Sequence, residues 1–324
     1  MKALIIGIIA GFIAISLISL VIDNLRFVVR TYKLRSPKIR RPVKLVFISD
    51  LHEKSYGKDN EKVVETIEKI SPDAVIVGGD LVVYGAVRRI YERSKKNGQE
   101  IRDPGTEWMK YSLSLMRRLT RICPVWFVQG NHELRLEYYE ELNVFNDRFC
   151  EEMEKAGVRM LRDGAVDPAR DSGSGIRLRS LELPLKYYKK FRRPGLLPEE
   201  IRDLTGAPDR SAYTVLVSHI PEYFPAYARW GSDLCLCGHE HGGLMRLPFL
   251  GGVVGTKLTL FPKYSGGQYF CRAATGDEQH LSSMVLSCGL GSHTLPIRIF
   301  NPGEISVIEF LPADLIEEEE NGIG

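Results

Sequence analysis

The chain has 324 residues, of which 44 are basic and 41 acidic, and its formal net charge is +3 at pH 7. A chain of this length can bury an ample core, so a fold stapled by disulfides is not required. The nearly balanced charges give no sign of a nucleic-acid-binding protein. The six cysteines show no C-x-x-C spacing, which argues against a zinc ribbon or a thioredoxin-like site.

The first element in chain order is an apolar segment, Ala3 to Ile22, with no charged side chain over its 20 positions. This length matches the roughly 20 residues that a helix needs to cross a bilayer. The alternative is a cleaved signal peptide, but its apolar core is only roughly 7 to 15 residues long and an A-x-A cleavage site should follow. We therefore predict an uncleaved transmembrane anchor over residues 1–24.

Basic residues crowd the segment after this anchor. Eight lysines and arginines lie between residues 26 and 44, against Lys2 and the amino terminus on the other side. The positive-inside rule then predicts a single-pass cell-membrane protein with a cytoplasmic body. We predict that residues 25–43 are a basic juxtamembrane linker, that residues 44–312 form the functional domain, and that residues 313–324 are an acidic tail.

In the body of the chain, strand-like apolar runs alternate with helical stretches, which predicts an α/β fold. Apolar residues at helical spacing predict helices over Asn60 to Lys69 and over Asn143 to Ala156. The stretch from Ala86 to Gly105 is charged and poor in apolar residues, and we predict a surface loop there. A further helix is expected around Trp108 to Arg121.

Five of the seven histidines follow short apolar runs, which cover residues 45–48, 125–128, 215–217 and 234–237. A fifth run, residues 74–77, leads into Gly78-Gly79-Asp80. Such a run predicts a buried strand with a polar side chain at its C-terminal tip, where open α/β sheets bind ligands. A single histidine there is usually structural, but five favour a metal site. His280 and His293 fall outside these blocks and are expected to be structural.

The candidate metal ligands are Asp50, His52, Asp80, Asn131, His219, His239 and His241. Mixed nitrogen and oxygen donors without a thiolate suit borderline and hard divalent metals. We expect two ions, Mn in the first place and Fe or Zn as alternatives. A dinuclear centre can share a hydroxide and can clamp the attacking and leaving oxygens of an in-line displacement. The pattern therefore predicts phosphoester hydrolysis.

The five blocks together resemble the calcineurin-like metallophosphoesterases. They read D-L-H at 50–52, G-G-D at 78–80, G-N-H-E at 130–133, V-S-H at 217–219 and G-H-E-H-G-G at 238–243. The resemblance runs from about Lys44 to Leu311 and implies a four-layer α/β/β/α sandwich.

This resemblance also implies a role for each candidate residue. One metal takes Asp50, His52 and His241. The other metal takes Asn131, His219 and His239. Asp80 bridges the two ions. His132 is then a catalytic residue that faces the phosphate without holding a metal, and it stabilises charge on the phosphoryl oxygens or protonates the leaving oxygen.

Two positions depart from the motifs of the family. Its second block often reads G-D-x-x-D, where the last acid orients the catalytic histidine, and that position is Val83 here. Either Glu133 or an acid from elsewhere in the fold holds the imidazole of His132, or the enzyme depends less on general acid catalysis. Leu244 replaces a polar residue after the last histidine block, without touching a ligand.

Two segments outside the motifs bear on the substrate. Residues 186–193 interleave aromatic side chains with five basic ones, which is typical either of a solvated face or of a patch that contacts anionic headgroups. Residues 244–260 are apolar and rich in glycine, and form either a loop packed on the sheet or a receptor for an acyl chain. This stretch looks like that of membrane-associated branches of the superfamily, including bacterial enzymes similar to UDP-2,3-diacylglucosamine pyrophosphatases.

We therefore expect a membrane-anchored, dinuclear metal-dependent phosphohydrolase. The expected substrate is a phosphodiester or pyrophosphate of a lipid or lipid-linked sugar, attacked by a metal-bridging hydroxide. Membrane lipids are the expected partners, whereas nucleic acid is not. One alternative is a general phosphomonoesterase or protein phosphatase. Another is a non-catalytic scaffold of the same fold, which would be expected to have lost ligands.

Overall fold

The computed structural model describes residues 1–162, 164–169, 173–189, 193–247, 250–255, 259–275, 278–292 and 296–315. The α-helices within these ranges are α1 (Lys2–Leu25), α2 (Glu61–Ile70), α3 (Tyr84–Lys96), α4 (Lys110–Leu119), α5 (Asn131–Tyr138), α6 (Asn143–Lys155), α7 (Pro198–Thr205) and α8 (Phe224–Trp230).

Two sheets form the centre of the fold. The first has six strands in the order β1-β13-β2-β3-β4-β5. These are β1 (Phe27–Ser36), β2 (Val43–Ile48), β3 (Ala74–Val77), β4 (Val125–Phe127), β5 (Arg159–Met160) and β13 (Gly303–Pro312). The run from β2 to β5 is parallel, β13 is antiparallel to β2, and β1 is parallel to β13.

The second sheet has five strands in the order β11-β12-β8-β7-β6. They are β6 (Ile176–Ser180), β7 (Tyr213–Val217), β8 (Leu234–Cys237), β11 (Gly267–Thr275) and β12 (Glu278–Leu286). A separate hairpin is formed by β9 (Met245–Leu247) and β10 (Gly251–Val254).

The predicted four-layer α/β/β/α arrangement is confirmed. Strand β2 shows why, because its side chains alternate between two cores. Leu45 and Phe47 pack between the sheets in a cluster with residues of β7 and β8, whereas Val46 and Ile48 pack with residues of α2, α4 and α6. A third cluster joins α7 and α8 to the outer face of the second sheet. Two helical layers therefore enclose two sheets.

The predicted helices near residues 60 and 143 are confirmed as α2 and α6, and the expected helix before residue 121 is α4. The surface loop predicted from residue 86 to residue 105 is wrong over its first half, which is helix α3. This helix buries Val87 and carries an ion pair of Arg88 with Glu92 at 2.7 Å. A helix with so narrow an apolar side is difficult to distinguish from a charged loop by composition.

Helix α1 covers the predicted anchor and, with 24 residues, is by length and composition apolar enough to cross a membrane. The predicted linker differs from the structure, because residues 27–36 are strand β1, paired with β13 from Phe27 opposite Gly303 to Ser36 opposite Pro312. Lys33 and Arg35 are exposed, whereas Leu34 is buried. The concentration of positive charge thus concealed the alternation of an edge strand.

Candidate metal centre

Each candidate ligand follows the C-terminal end of a strand. Asp50 and His52 follow β2, Asp80 follows β3, Asn131 follows β4, His219 follows β7, and His239 and His241 follow β8. Because parallel strands of both sheets end at the same edge, polar side chains that are distant in sequence meet there.

The side chains meet as two triads. The ligand atoms of Asp50, His52 and His241 lie within 4.8 Å of one another, and we call these residues the His241 half. The ligand atoms of Asp80, His219 and His239 also lie within 4.8 Å of one another. We call His219 and His239, together with Asn131, the His219 half.

Asp80 stands between these halves. Its Oδ2 lies 3.7 Å from Nε2 of His52 and 3.1 Å from Nε2 of His219. Its other oxygen, Oδ1, accepts the backbone N–H of His132 at 2.9 Å. One carboxylate thus faces ligands from both sheets, as a bridging ligand would.

The histidine rings are oriented for a metal by their own hydrogen bonds. In three of them Nδ1 donates to a backbone carbonyl oxygen. His52 donates to Val82 O at 3.2 Å, His219 to Gly78 O at 2.7 Å, and His241 to Gly291 O at 3.0 Å. A carbonyl can only accept, so each neutral ring has its proton on Nδ1 and a bare lone pair on Nε2. Donation of the second ring nitrogen to a carbonyl is the usual arrangement around metal-bound histidine.

The unprotonated Nε2 atoms of these histidines face other acceptors. Nε2 of His52 and Nε2 of His241 are only 3.3 Å apart, so two lone pairs confront each other unless a cation lies beside them. Nε2 of His219 faces a carboxylate oxygen of Asp80 at 3.1 Å, and Oδ1 of Asn131 is buried without a hydrogen-bond partner in the described part of the chain. Buried polar atoms without partners are costly. The residues therefore fit a site for divalent ions.

The electrostatics favour positive charge at the same place. Burial opposes a charge on His219, but Asp80 and Asp50 outweigh it and raise the pKa of His219 to about 10. Burial also opposes the charge on Asp80, but His219 and His132 hold the pKa of that carboxyl well below its usual range. A divalent cation would meet the same negative field.

Backbone strain is concentrated in these residues. Asp50, His52, Asp80, His239 and His241 have positive φ angles of 54, 48, 56, 75 and 48°. Such conformations are uncommon outside glycine and cost on the order of 1–3 kcal/mol each. Backbone hydrogen bonds between neighbouring strand ends hold these conformations. For example, the N–H of Asp50 donates to Gly79 O at 2.9 Å. The side chains are thus fixed before any ligand binds.

Glu133 does not take the place of the acid missing at Val83. Its carboxylate accepts the backbone N–H groups of Asp80, Leu81 and Gly130 at 2.9, 2.8 and 3.0 Å. Burial and the nearby Asp80 raise its pKa to about 7. Glu133 therefore ties the loop after β3 to the start of α5.

His132 is oriented by the main chain. Its Nδ1 accepts the backbone N–H of Tyr84 at 2.8 Å, so the neutral ring has its proton on Nε2. This Nε2 lies 3.9 Å from Oδ2 of Asp80, the oxygen between the two triads. The ring is thus held by the residue that follows Val83, and it presents an N–H group close to the candidate ligands.

Tyr188 is a site residue that the sequence analysis missed. A 3₁₀ turn over Leu185–Tyr188 buries Tyr187 and Tyr188, whereas Lys186 and Lys189 are exposed. The ring centre of Tyr188 lies 5.5 Å from that of His239 and 6.2 Å from that of His219. Its hydroxyl is buried without a hydrogen-bond partner among the described residues.

Residues 186–193 were predicted to form either a solvated face or a patch that contacts headgroups. The burial of Tyr187 and Tyr188 differs from both expectations, and residues 190–192 lie outside the described ranges. Burial raises the pKa of Tyr188 well above its usual value, and Asp80 contributes to this shift. The hydroxyl therefore remains a proton-bearing donor at neutral pH. The available signal was its position after β6, a strand that runs parallel to β7 and to which no site residue was assigned.

A cleft of about 890 Å³ lies beside Tyr188, between helix α5 and the 3₁₀ turn. Its lining combines aromatic, apolar, basic and acidic side chains, including Leu134, Arg135, Glu137, Tyr138, Tyr139, Glu140 and Lys186. Leu134 and Arg135 follow His132 on the same helix, so the cleft adjoins the candidate site.

The apolar stretch after the last histidine block forms the β9–β10 hairpin, with residues 248–249 and 256–258 outside the described ranges. Leu250, Leu260 and Phe261 are 64%, 70% and 60% exposed. Met245 of β9 pairs with Ile299, which places the hairpin close to Pro296, whose carbonyl oxygen accepts the side-chain N–H of Asn24 at the end of α1. Of the two histidines outside the blocks, His280 donates to Ser232 O at 2.7 Å, and His293 lies outside the described ranges.

Several known proteins are similar to this chain in sequence. The chain is 25% identical over 221 residues to the uncharacterized protein YpbG of Bacillus subtilis, covering 67% of this chain and 68% of that protein. It is 23% identical over 278 residues to an uncharacterized metallophosphoesterase of Helicobacter pylori, covering 85% of this chain and 61% of that protein. It therefore spans less than two thirds of the length of the latter relative. With the uncharacterized metallophosphoesterase YkuE of B. subtilis it shares 25% identity over 270 residues, 82% of this chain and 77% of that protein.

Among solved structures, a dimetal phosphatase from Danio rerio aligns with a TM-score of 0.38 and 12% identity, covering 76% of this chain and 87% of that chain. The purple acid phosphatase PPD1 of yellow lupin aligns with a TM-score of 0.34 and 12% identity, covering 84% of this chain and 44% of that chain. The profile of the calcineurin-like phosphoesterases matches residues 43–243, which contain all five blocks. This chain belongs to the calcineurin-like phosphoesterase family and is a metal-dependent phosphoesterase.

Proposed function

We propose that this protein hydrolyses a phosphodiester or pyrophosphate of a lipid or lipid-linked sugar at a membrane surface, with two divalent ions. The observation that carries the hydrolytic part is the position of Asp80 between two triads of possible metal ligands, facing His52 of one and His219 of the other. Mn is the first candidate for both ions, with Fe or Zn as alternatives. Such ions, when bound, supply Lewis acidity and a nucleophile at neutral pH.

In this proposal the chain holds the ions with the seven residues expected from the sequence. The His241 half would hold one ion, the His219 half would hold the other, and Asp80 would bind both. The Nδ1–H bonds to Val82, Gly78 and Gly291 fix the direction in which each ring offers its lone pair. Rings fixed in this way do not have to reorder when an ion arrives.

His132 would act on the substrate through its Nε2–H group. A doubly protonated ring would bring Nδ1–H against the N–H of Tyr84, which lies 2.8 Å away. We propose that His132 donates a hydrogen bond to a phosphoryl oxygen and contributes little as a general acid. Such an enzyme cleaves bonds to good leaving groups, such as a phosphate in a pyrophosphate, faster than alkyl phosphomonoesters.

The lipid part of the proposal is supported by apolar surface near the site. Helix α1 is long and apolar enough to cross a membrane. Leu250, Leu260 and Phe261 are exposed on or next to the β9–β10 hairpin, which follows His241 in the chain. The proposal includes the likeness to UDP-2,3-diacylglucosamine pyrophosphatases, a body on the cytoplasmic side, and lipids as partners. The cleft beside Tyr188 would receive the organic part of the substrate.

The test uses the full chain purified in detergent, because β1 belongs to the first sheet. Bound metal is measured together with hydrolysis of p-nitrophenyl phosphate and of bis-p-nitrophenyl phosphate, with Mn added. About two ions per chain and a preference for the diester support the proposal. A preference for the monoester supports the general phosphomonoesterase or protein phosphatase, and a chain with neither metal nor turnover supports the scaffold.

The lipid substrate needs a second comparison. A lipid-linked pyrophosphate in mixed micelles is compared with a water-soluble nucleotide pyrophosphate under the same conditions. Faster turnover of the lipid substrate is expected. Equal turnover of both substrates, with and without a lipid surface, would contradict the lipid part of the proposal and leave the hydrolytic part intact.

A further inference from the structure

We infer that the C-terminal turn of helix α1 positions the metal ligand His241 through the side chain of Asn301. The connection runs through residues 296–301, which we call the clamp loop. The inference rests on the proposed metal centre, in which His241 is a ligand. It makes the N-terminal helix part of the metal site as well as a candidate anchor.

The first step is the contact of α1 with the clamp loop. The backbone N–H of Phe300 donates to Oγ of Ser19 at 2.7 Å, and the backbone N–H of Asn301 donates to Oδ2 of Asp23 at 3.0 Å. The side chain of Asn24 donates to Pro296 O at 2.8 Å. Three polar residues in the last two turns of an otherwise apolar helix thus bind the main chain of one loop.

Asp23 is notable because its side chain is buried at the end of this helix, with a relative exposure of 1%. Oγ of Ser19 donates to Oδ2 of Asp23 at 2.7 Å, and Nε of Arg26 donates to Oδ1 at 2.9 Å. A buried carboxylate is costly unless it is paired and hydrogen-bonded. Ser19 and Arg26 supply two of its hydrogen bonds locally, and the clamp loop supplies the third through the backbone N–H of Asn301.

The second step is the contact of Asn301 with the histidine block. Nδ2 of Asn301 donates to the carbonyl oxygens of His241 and Gly243, both at 2.7 Å. Between them, Gly242 has a φ of 73°, and a Cβ at this position would collide with the Asn301 amide. The loop that carries His241 is therefore shaped around the side chain of Asn301.

The clamp loop also reaches the ring of His241. Nδ1 of His241 donates to Gly291 O at 3.0 Å, and the same oxygen accepts Nη2 of Arg298 at 2.6 Å. Arg298 is buried, with 1% exposure, and also donates to Cys288 O at 2.9 Å. Both the main chain and the imidazole of His241 thus depend on residues 298 and 301.

The other half of the centre is held differently. The ring of His219 is fixed by the carbonyl of Gly78, at the end of β3 in the first sheet. Loss of the hydrogen bonds between α1, the clamp loop and the His241 loop should therefore weaken the binding of the ion in the His241 half and leave the binding of the other ion unchanged. General destabilisation of the fold would affect both ions, so the two cases can be separated.

The experiment measures Mn binding to the full chain in detergent micelles, by titration followed with electron paramagnetic resonance. Asn301→Ala is expected to weaken one of the two ions by roughly 10- to 100-fold, as loss of a group that orients a ligand does, and to leave the other unchanged. Ser19→Ala removes one bond of the clamp and should shift the same ion by a smaller factor. Ser16→Ala is the matched control, because Oγ of Ser16 has no hydrogen-bond partner among the described residues.

Wild-type affinity for both ions in Asn301→Ala and in Ser19→Ala would overturn the inference. Equal weakening of both ions, with a lower melting temperature in EDTA, would also overturn it, because the clamp would then serve only stability. If Asn301→Ala does not fold, Ser19→Ala against Ser16→Ala decides. A wild-type chain that binds no Mn, Fe or Zn would instead contradict the proposed function.

Discussion

The two halves of the candidate metal centre are built in different ways. His219 follows a central strand of the second sheet and is held by the end of a strand in the first. His241 lies four residues beyond the end of β8 and two beyond His239, at a point where the loop is held by residues 298 and 301. The strand ends of the two sheets therefore fix His219, whereas His241 depends on the clamp loop and, through it, on the N-terminal helix.

Asp80→Asn should have the largest effect, because it damages both halves together. The asparagine amide lacks the negative charge that faces His52 and His219, so the binding of both ions should weaken. Turnover should fall by more than the roughly 100- to 1,000-fold lost when a single oxyanion donor is removed. Metal content and kcat are measured, with the exposed Asp103→Asn as a control. Two tightly bound ions in Asp80→Asn would contradict a bridging role.

His132→Ala should leave both halves occupied and reduce only the rate. Its ring is held by Tyr84 rather than by a ligand, and a loss of roughly 100-fold is within the range for removal of one hydrogen-bond donor to a developing negative charge. The loss should be similar for substrates with good and poor leaving groups, because the ring donates a hydrogen bond and not a proton. Full activity in this variant would show that the metal ligands alone carry the chemistry.

Tyr188→Phe probes the His219 half with a smaller change. The hydroxyl has no protein partner among the described residues, so its removal should not lower stability. If it binds the substrate, kcat/KM should fall by roughly tenfold, the value of one hydrogen bond. Tyr187→Phe is the matched control, because the Tyr187 hydroxyl donates to Glu200 at 2.9 Å. The control should lose about 1 kcal/mol of stability and keep its activity.

Glu182→Gln should have the smallest effect, and only on stability. Burial raises the pKa of Glu182 to about 7. Because the folded state binds this proton more tightly than the unfolded chain, the contribution of Glu182 to stability falls as pH rises from about 4.5 to about 7. The amide should remove this slope and stabilise the protein at pH 8 by on the order of 1–3 kcal/mol.

Chemical unfolding in EDTA at pH 5 and pH 8 measures the difference between wild type and Glu182→Gln. The exposed Glu199→Gln is the control and should keep the wild-type slope. An unchanged slope in Glu182→Gln would show that this carboxyl does not hold a proton in the folded state.

The strands and the meeting of the candidate ligands could be predicted because each depends on a local pattern, whereas the four layers were implied by the resemblance to the family. A short apolar run followed by Asp or His marks a strand tip, and parallel strands bring their tips together. The clamp could not be predicted in this way. Asn301 lies 60 residues from His241 and 278 from Asp23, and no spacing rule connects an asparagine to a distant carbonyl. Strand β1 and the buried Tyr188 were obscured by charged neighbours, and helix α3 by its narrow apolar side.

The direct passage from α1 into β1 has a mechanical consequence. Arg26 alone separates the last residue of the helix from the first residue of the strand, which leaves no flexible tether between them. In the proposed membrane enzyme, the catalytic domain could not change its orientation freely relative to the bilayer. Its height and tilt would be dictated by the helix, so lipid headgroups would meet the metal centre from one fixed direction.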